Sequence, residues 1–143
     1  MLARITSKCD REWNVVQVKI YGITEHLEAR KLHLSEAIHT CVVEALGLPV
    51  DKRFHRFFPM DASNFIFPAD RSAHYTIIEI SMFEGRSVER KKRLIQLLFE
   101  SLDQECGLRP GDVEITLLES PRSHWGVRGL PADELGLPYP VED

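Results

Sequence analysis

The sequence predicts an α/β (α+β) fold in which two tandem β-α-β units form a four-stranded sheet with two helices on one face. Three observations predict it: apolar residues alternate in two segments, an apolar stripe at helical spacing follows each segment, and a shift of sixty residues lays the first set on the second. A helix that connects two parallel strands crosses over in the right-handed sense, so both helices fall on the same face of the sheet.

The first unit spans residues 16–60. Val16, Val18 and Ile20 alternate with polar residues and predict a strand that packs one face on a core. A helix follows, for which Thr24 is the expected N-cap. Its apolar stripe consists of Leu34, Ile38, Cys41, Val42 and Ala45, and Gly47 ends it. The next strand is expected around residues 53–58.

The second unit spans residues 75–119 and repeats this pattern. Ile78, Ile80 and Met82 predict a strand, Ser87 is placed to cap the next helix, and Gly107 ends that helix. The helical stripe consists of Leu94, Leu98, Leu102 and Cys106, and a last strand is expected over residues 113–119. The constant shift indicates an internal duplication.

Length and charge limit the possible classes of protein. The 143 residues suit an N-terminal extension over residues 1–15 and a single domain over residues 16–143. A net charge of −4 argues against a protein that binds nucleic acid or an anionic membrane. Cys9, Cys41 and Cys106 are odd in number and show no paired spacing, so we expect no disulfide framework and a cytoplasmic location.

Helices on one face leave the other face of a largely apolar sheet uncovered. We therefore expect other subunits to cover it, in a homotrimer. The C-terminal arm, residues 120–143, is rich in proline and glycine and carries Trp125, which favours a hairpin-like arm that wraps on a neighbouring subunit.

Several short motifs together resemble the tautomerase superfamily, in particular its 4-oxalocrotonate tautomerase and malonate semialdehyde decarboxylase-like members. They are Ile78-Glu79-Ile80-Ser81-Met82-Phe83-Glu84-Gly85-Arg86-Ser87, Asp112-Val113-Glu114-Ile115, and His124-Trp125-Gly126-Val127-Arg128-Gly129. The resemblance implies a tautomerase-like fold and trimers or hexamers. It also implies tautomerisation, decarboxylation, hydration or dehalogenation of small carbonyl-containing acids, with an amino-terminal proline as the base.

The sequence departs from that superfamily at the position of the proline. This position falls close to Val16, whose nitrogen belongs to a peptide amide and cannot accept a proton. Lys52 and Glu84 occupy two further positions that the decarboxylase uses, whereas Arg86 matches one of its substrate-binding arginines. Asp70-Arg71-Ser72 is similar to a branch that also lacks the proline.

Arg86 is the main candidate for binding a substrate carboxylate, because it precedes the expected helix start at Ser87. The alternative is a surface ion pair of Arg86 with Glu84 or Glu89. The resemblance adds Arg56 and Arg71, expected at the same end of the sheet. Trp125, flanked by His124 and Arg128, is expected either to line a pocket from a neighbouring subunit or to anchor the arm.

No catalytic residue can be assigned from the sequence. His55 and His124 are candidate proton carriers, but the sequence does not place either one. We expect no cofactor and no metal site, since no motif for either is present.

The function that these observations favour is that of a weak isomerase or decarboxylase. It would act on a small oxo-acid, with arginines that stabilise an enolate. The alternative is a non-enzymatic oligomeric descendant that binds a small anion or a protein partner.

Overall fold

The computed structural model describes residues 15–135, so Cys9, nearly all of the expected N-terminal extension and the end of the arm lie outside the described residues. The elements are β1 (Val16–Ile23), α1 (Thr24–Leu46), β2 (Phe54–Met60), β3 (Thr76–Phe83), α2 (Val88–Cys106) and β4 (Val113–Ser120), followed by the short strands β5 (Gly126–Val127) and β6 (Leu130–Pro131). No helix among the described residues is long and apolar enough to span a membrane.

The main sheet has the strand order β2-β1-β3-β4. β1 pairs with β2, and β3 with β4, in parallel, as a β-α-β unit requires. The central pair, β1 and β3, is antiparallel, with Val18 opposite Ile80 and Ile20 opposite Ile78. The sixty-residue shift lays the pair Val18–Ile80 on the pair Ile78–Ile20, so a two-fold rotation perpendicular to the sheet relates the two units. The predicted four-stranded sheet with two helices is confirmed.

The core lies between the helices and one face of the sheet. Both predicted apolar stripes pack in it, buried except for the partly buried Cys106, because their helical spacing keeps them on the side that faces the strands. The fully buried side chains include Val18, Ile20, Ile78, Ile80 and Met82 from the strands and Leu34, Ile38, Leu94, Leu98 and Leu102 from the helices.

The helix ends follow the sequence with one exception. Gly47 and Gly107 end α1 and α2 with left-handed backbones, at φ of 72° and 65°. The Ser87 hydroxyl caps α2 by accepting from the Arg90 N–H at 3.2 Å. The predicted capping by Thr24 is wrong: the helix follows β1 without a loop, Ile23 occupies the cap position, and no side chain caps that end.

The open face of the sheet is mixed rather than apolar, which corrects the expectation above. At its centre Lys19 lies opposite Glu79, whose Oε1 accepts from the Tyr21 hydroxyl at 2.9 Å. Phe54 and Leu118 contribute apolar surface near one end of this face and remain 45 % and 43 % exposed. This face therefore combines partly exposed apolar side chains with a charged centre.

Candidate functional site

The candidate site lies at one end of the sheet, where β1 begins and β3 and β4 end. Val16 lies opposite Met82, and Phe83 lies opposite Ser120. Because β1 runs antiparallel to β3, the first residues of β1 lie beside the last residues of the second unit. The register thus brings the Val16 position and the residues around Arg86 to the same end.

A hairpin covers this end. After β4 a short turn over Arg122–His124 leads into β5 and β6. Trp125 packs edge to face on Phe83, with ring centroids 4.9 Å apart, and its carbonyl accepts from the Ala132 N–H at 2.7 Å. Phe83, Ala132 and Leu135 form a small buried cluster of their own. Up to Leu135, the arm therefore packs on its own chain.

Two cavities adjoin the hairpin. The smaller one, of about 360 Å³, lies between the hairpin and the open face of the sheet and is lined by Gln17, Ser81, Leu118, Glu119, Ser120, His124, Trp125 and Gly126. The larger one, of about 520 Å³, lies against the hairpin itself and is lined by residues 123–131. His124, Trp125 and Gly126 line both. The smaller cavity thus combines amide, hydroxyl, carboxylate and imidazole groups with two apolar side chains.

Arg86 lies next to this end of the sheet, just after β3. It is partly buried, and its Nη1 donates to the Phe83 carbonyl at 3.3 Å. Burial lowers the pKa of the Arg86 guanidinium below its ordinary value, the charges of Arg90 and then Arg122 lower it further, and Glu119 acts in the opposite direction. The balance of neighbouring charge is positive, so a bound anion would be stabilised here.

Two other side chains complete this charged environment. Arg122 places its guanidinium over the Phe83 ring, 5.3 Å from the centroid. Lys91, on the first turns of α2, forms an ion pair of 3.1 Å with Glu119. Glu119 is thus bound to one cation and electrostatically coupled to Arg86. Arg86 and Arg122 thus both contact Phe83, and the carboxylate of Glu119 acts on Arg86.

Three other predicted site residues, Arg56, Arg128 and Trp125, lie at or near this end of the sheet. Arg56 is exposed on β2 and donates to Oε1 of Gln17 at 2.9 Å, so it adjoins the smaller cavity through Gln17. Arg128 lines the larger cavity and adopts a left-handed backbone at φ 55°, in the tight turn of the hairpin. Trp125 lines both cavities and also anchors the arm on Phe83.

Arg71 lies at the opposite end of the sheet, so the expected grouping with Arg86 within this chain is wrong. It pairs with Asp70 at 2.6 Å and contacts Glu114 at 3.9 Å. The linker that carries Arg71 leads into the start of β3, whereas Arg86 follows the end of β3. The 8 residues of this strand separate its two ends by roughly 20 Å, at about 3.3 Å per residue.

The structure separates the two candidate histidines. His124 lines both cavities, whereas His55 lies between β2 and α1, where Ser35 contacts it.

Sequence reasoning missed Gln17, Ser81, Glu119 and Arg122. The strand alternation carried a signal for Gln17 and Ser81, which are opposite each other on the open face. Arg122 carried none, because its position depends on how the hairpin folds back. Within residues 15–135 no three histidine, cysteine or acidic side chains converge as metal ligands would.

Comparison with known proteins points to one family. A family model described as tautomerase enzyme matches residues 52–128, from just before β2 to the hairpin turn. A 2-hydroxymuconate tautomerase of Comamonas testosteroni is 36% identical over 58 residues, which are 41% of this chain and 92% of that protein. The probable tautomerase YrdN of Bacillus subtilis (strain 168) is 24% identical over 97 residues, 64% of this chain and 74% of that protein.

Solved structures share the fold over most of the chain. A fused 4-OT symmetric trimer superposes with a TM-score of 0.73 and 25% identity, over 85% of this chain and 99% of that one. A malonate semialdehyde decarboxylase gives 0.71 and 22% identity, over 82% and 94%. A member of the cis-3-chloroacrylic acid dehalogenase family gives 0.70 and 18% identity, over 84% and 85%. Proteins with three different named activities thus share this backbone.

Proposed function

The chain belongs to the family of tautomerase enzymes, and from this premise we propose that it binds a small carboxylate at Arg86. The bound compound is a small oxo-acid, on which the protein acts as a weak isomerase or decarboxylase. The observation that carries the proposal is the partly buried Arg86 beside Arg90 and Arg122, at the end of the sheet where an open cavity adjoins the hairpin.

Arginine electrostatics provide the chemistry. Negative charge develops on the carbonyl oxygen when an oxo-acid enolises, and preorganised guanidinium groups stabilise that charge most where water is partly excluded. Loss of carbon dioxide from a β-keto acid needs such an electron sink more than it needs a base. Val16, the position expected to match the superfamily's proline, follows Val15 in a peptide bond, so we propose that water or a side chain moves the proton.

We further propose that the protein is a homotrimer in the cytoplasm. The fused 4-OT structure that shares its fold is a symmetric trimer. The apolar side chains of Phe54 and Leu118 on the open face are surfaces that a neighbouring subunit would cover. The free thiols of Cys41 and Cys106 suit a reducing compartment.

A second function is a non-enzymatic one, in which the same site holds a small anion without turning it over, or the oligomer offers its surface to a protein partner. It is favoured by the expectation from the sequence that the superfamily's proline falls close to Val16, whose nitrogen is a peptide amide. The arginines would then serve binding alone.

Turnover assays separate the two functions. Phenylenolpyruvate and 2-hydroxymuconate are offered to the wild type and to Arg86→Ala, beside a relative that carries the amino-terminal proline. The enzyme proposal expects turnover above buffer that falls at least tenfold in Arg86→Ala. Turnover no better than buffer with both substrates, together with Arg86-dependent binding of a small dicarboxylate, would establish the binding function instead.

A further inference from the structure

We propose that His124 is the general acid–base of this site and takes the part that an amino-terminal proline plays elsewhere in the superfamily. This inference rests on the proposed function and goes beyond it, since it assigns the proton transfer to a named side chain.

Elimination within the cavity points to His124. Of the eight residues that line the smaller cavity, Glu119 and His124 are the ones whose side chains carry an ionisable carboxyl or imidazole. The Glu119 carboxylate is already engaged, because it forms an ion pair of 3.1 Å with Lys91 and also acts on Arg86. An imidazole both accepts and returns a proton in neutral solution.

The backbone around His124 is preorganised. The His124 N–H donates to the Pro121 carbonyl at 2.9 Å, and the Trp125 N–H donates to the Arg122 carbonyl at 3.1 Å. The Trp125 ring, packed on Phe83, fixes the same turn against β3. His124 therefore stands on a turn that is closed by hydrogen bonds and anchored by an aromatic contact, rather than on a loose arm.

The charges around His124 suit a base that works beside a bound anion. Arg122 lies on the same turn and Arg128 in the same hairpin, so the segment that carries His124 also carries two guanidinium groups. From the packed elements, β4 contributes the carboxylate of Glu119, the first turn of α2 contributes Lys91, and Arg86 lies between β3 and α2. An enolate formed at this end of the sheet would be attracted by the positive charge of these arginines.

The proton transfer can be written for an enol acid that becomes its keto form. The neutral imidazole of His124 takes the enol O–H proton, the oxygen electron pair forms the C=O bond, and the C=C pair takes the proton back from the imidazolium at carbon. The imidazole is regenerated, and the product is an isomer of the substrate. The transient negative charge on oxygen is the charge that Arg86 and Arg122 would stabilise.

The test combines turnover with binding. His124→Asn should lower kcat by about 10²- to 10⁴-fold, the usual contribution of general acid–base catalysis, and remove the acidic limb of the pH–rate profile. Binding of a small dicarboxylate should change less than twofold, because Arg86 provides that affinity. His33→Asn, an exposed histidine on α1, is the matched control and should leave both quantities unchanged.

Chemical rescue gives an independent readout: added imidazole should restore part of the turnover of His124→Ala but none of that of Arg86→Ala. Turnover of His124→Asn equal to the wild type would overturn this inference and leave the proposed function standing. A wild type that neither turns over nor binds the dicarboxylate would overturn both.

Discussion

The Oγ of Ser35 lies 2.8 Å from Nδ1 of His55, and this contact ties α1 to β2. Nη1 of Arg53 donates to the same Oγ at 3.3 Å, which leaves the serine hydrogen to be donated to the imidazole. His39 lies beside this pair, with the two imidazole centroids 5.9 Å apart. Burial, followed by the charges of His39 and Arg53, lowers the pKa of His55 to about 4.

This arrangement predicts a loss of stability in mild acid. Between pH 6.5 and about 4 the unfolded chain protonates His55 while the folded chain does not, so the free energy of unfolding falls as the pH drops through that range. The expected loss from this group is about 2 kcal/mol at pH 5 relative to pH 7. Urea unfolding at both pH values measures it.

The control for this prediction is His55→Gln, which keeps a hydrogen-bonding side chain but does not titrate. The wild type should lose more stability between pH 7 and pH 5 than this variant, and the exposed His33→Gln should behave like the wild type. Equal losses in the wild type and His55→Gln would contradict the prediction.

The two helix starts give a matched pair of substitutions. Ser87→Ala removes a hydroxyl that accepts from the Arg90 N–H and should lower the free energy of unfolding by about 1 kcal/mol. Thr24→Ala should change it by less than about 0.5 kcal/mol, because no side chain caps α1. Chemical denaturation of both variants is the measurement, and a larger effect at Thr24 than at Ser87 would reverse our account of the helix ends.

Arg86→Ala should weaken binding of a small dicarboxylate by roughly ten- to a hundredfold, since a charged hydrogen bond contributes about 1.5 to 3 kcal/mol. Arg86→Lys should recover only part of the affinity, because an ammonium group lacks the planar fork of a guanidinium. Calorimetric titration measures each affinity. Arg93→Ala is the matched control, since Arg93 lies on α2 but pairs with Glu44 of α1.

Removal of the carboxylate near Arg86 should act in the opposite direction. Glu119→Gln should tighten dicarboxylate binding, because Glu119 is the acidic group that favours the charge of Arg86 in the free protein. If Arg86→Ala binds like the wild type and Glu119→Gln changes nothing, the arginine is structural and the proposed carboxylate site is wrong.

A charge placed on the open sheet face should disrupt assembly. The wild type should sediment as a trimer at micromolar concentration, and Leu118→Asp should shift it toward monomer because a carboxylate would be buried without a partner. Leu32→Asp, on α1 and 83 % exposed, should leave the trimer intact. A monomeric wild type, or equal behaviour of the two variants, would show that this face is not the interface.

The sequence predicted most of the fold because strand and helix periods are local signals. The alternation through Val18 and Ile20 and the glycines that end the helices are visible without any tertiary contact. The capping of α1 was mispredicted, since nothing in the residues around Thr24 shows that β1 and α1 join without a loop. For the candidate site, the sequence singled out Arg86, which stays a prediction, but not its coupling to Glu119 and Arg122, because that depends on where β4 and the hairpin turn lie in the folded chain. Arg71 was misplaced for the same reason.

The antiparallel pairing of β1 with β3 makes the two ends of the sheet equivalent in backbone but different in what covers them. Counted back by the sixty-residue shift, the counterpart of Arg86 is His26. Its ring lies 4.2 Å from that of His74 at the far end, where no hairpin follows in the chain. The two units therefore repeat one backbone plan with different chemistry at each end: a guanidinium group near the hairpin at one, a pair of imidazoles and the Ser72–Asp112 hydrogen bonds at the other.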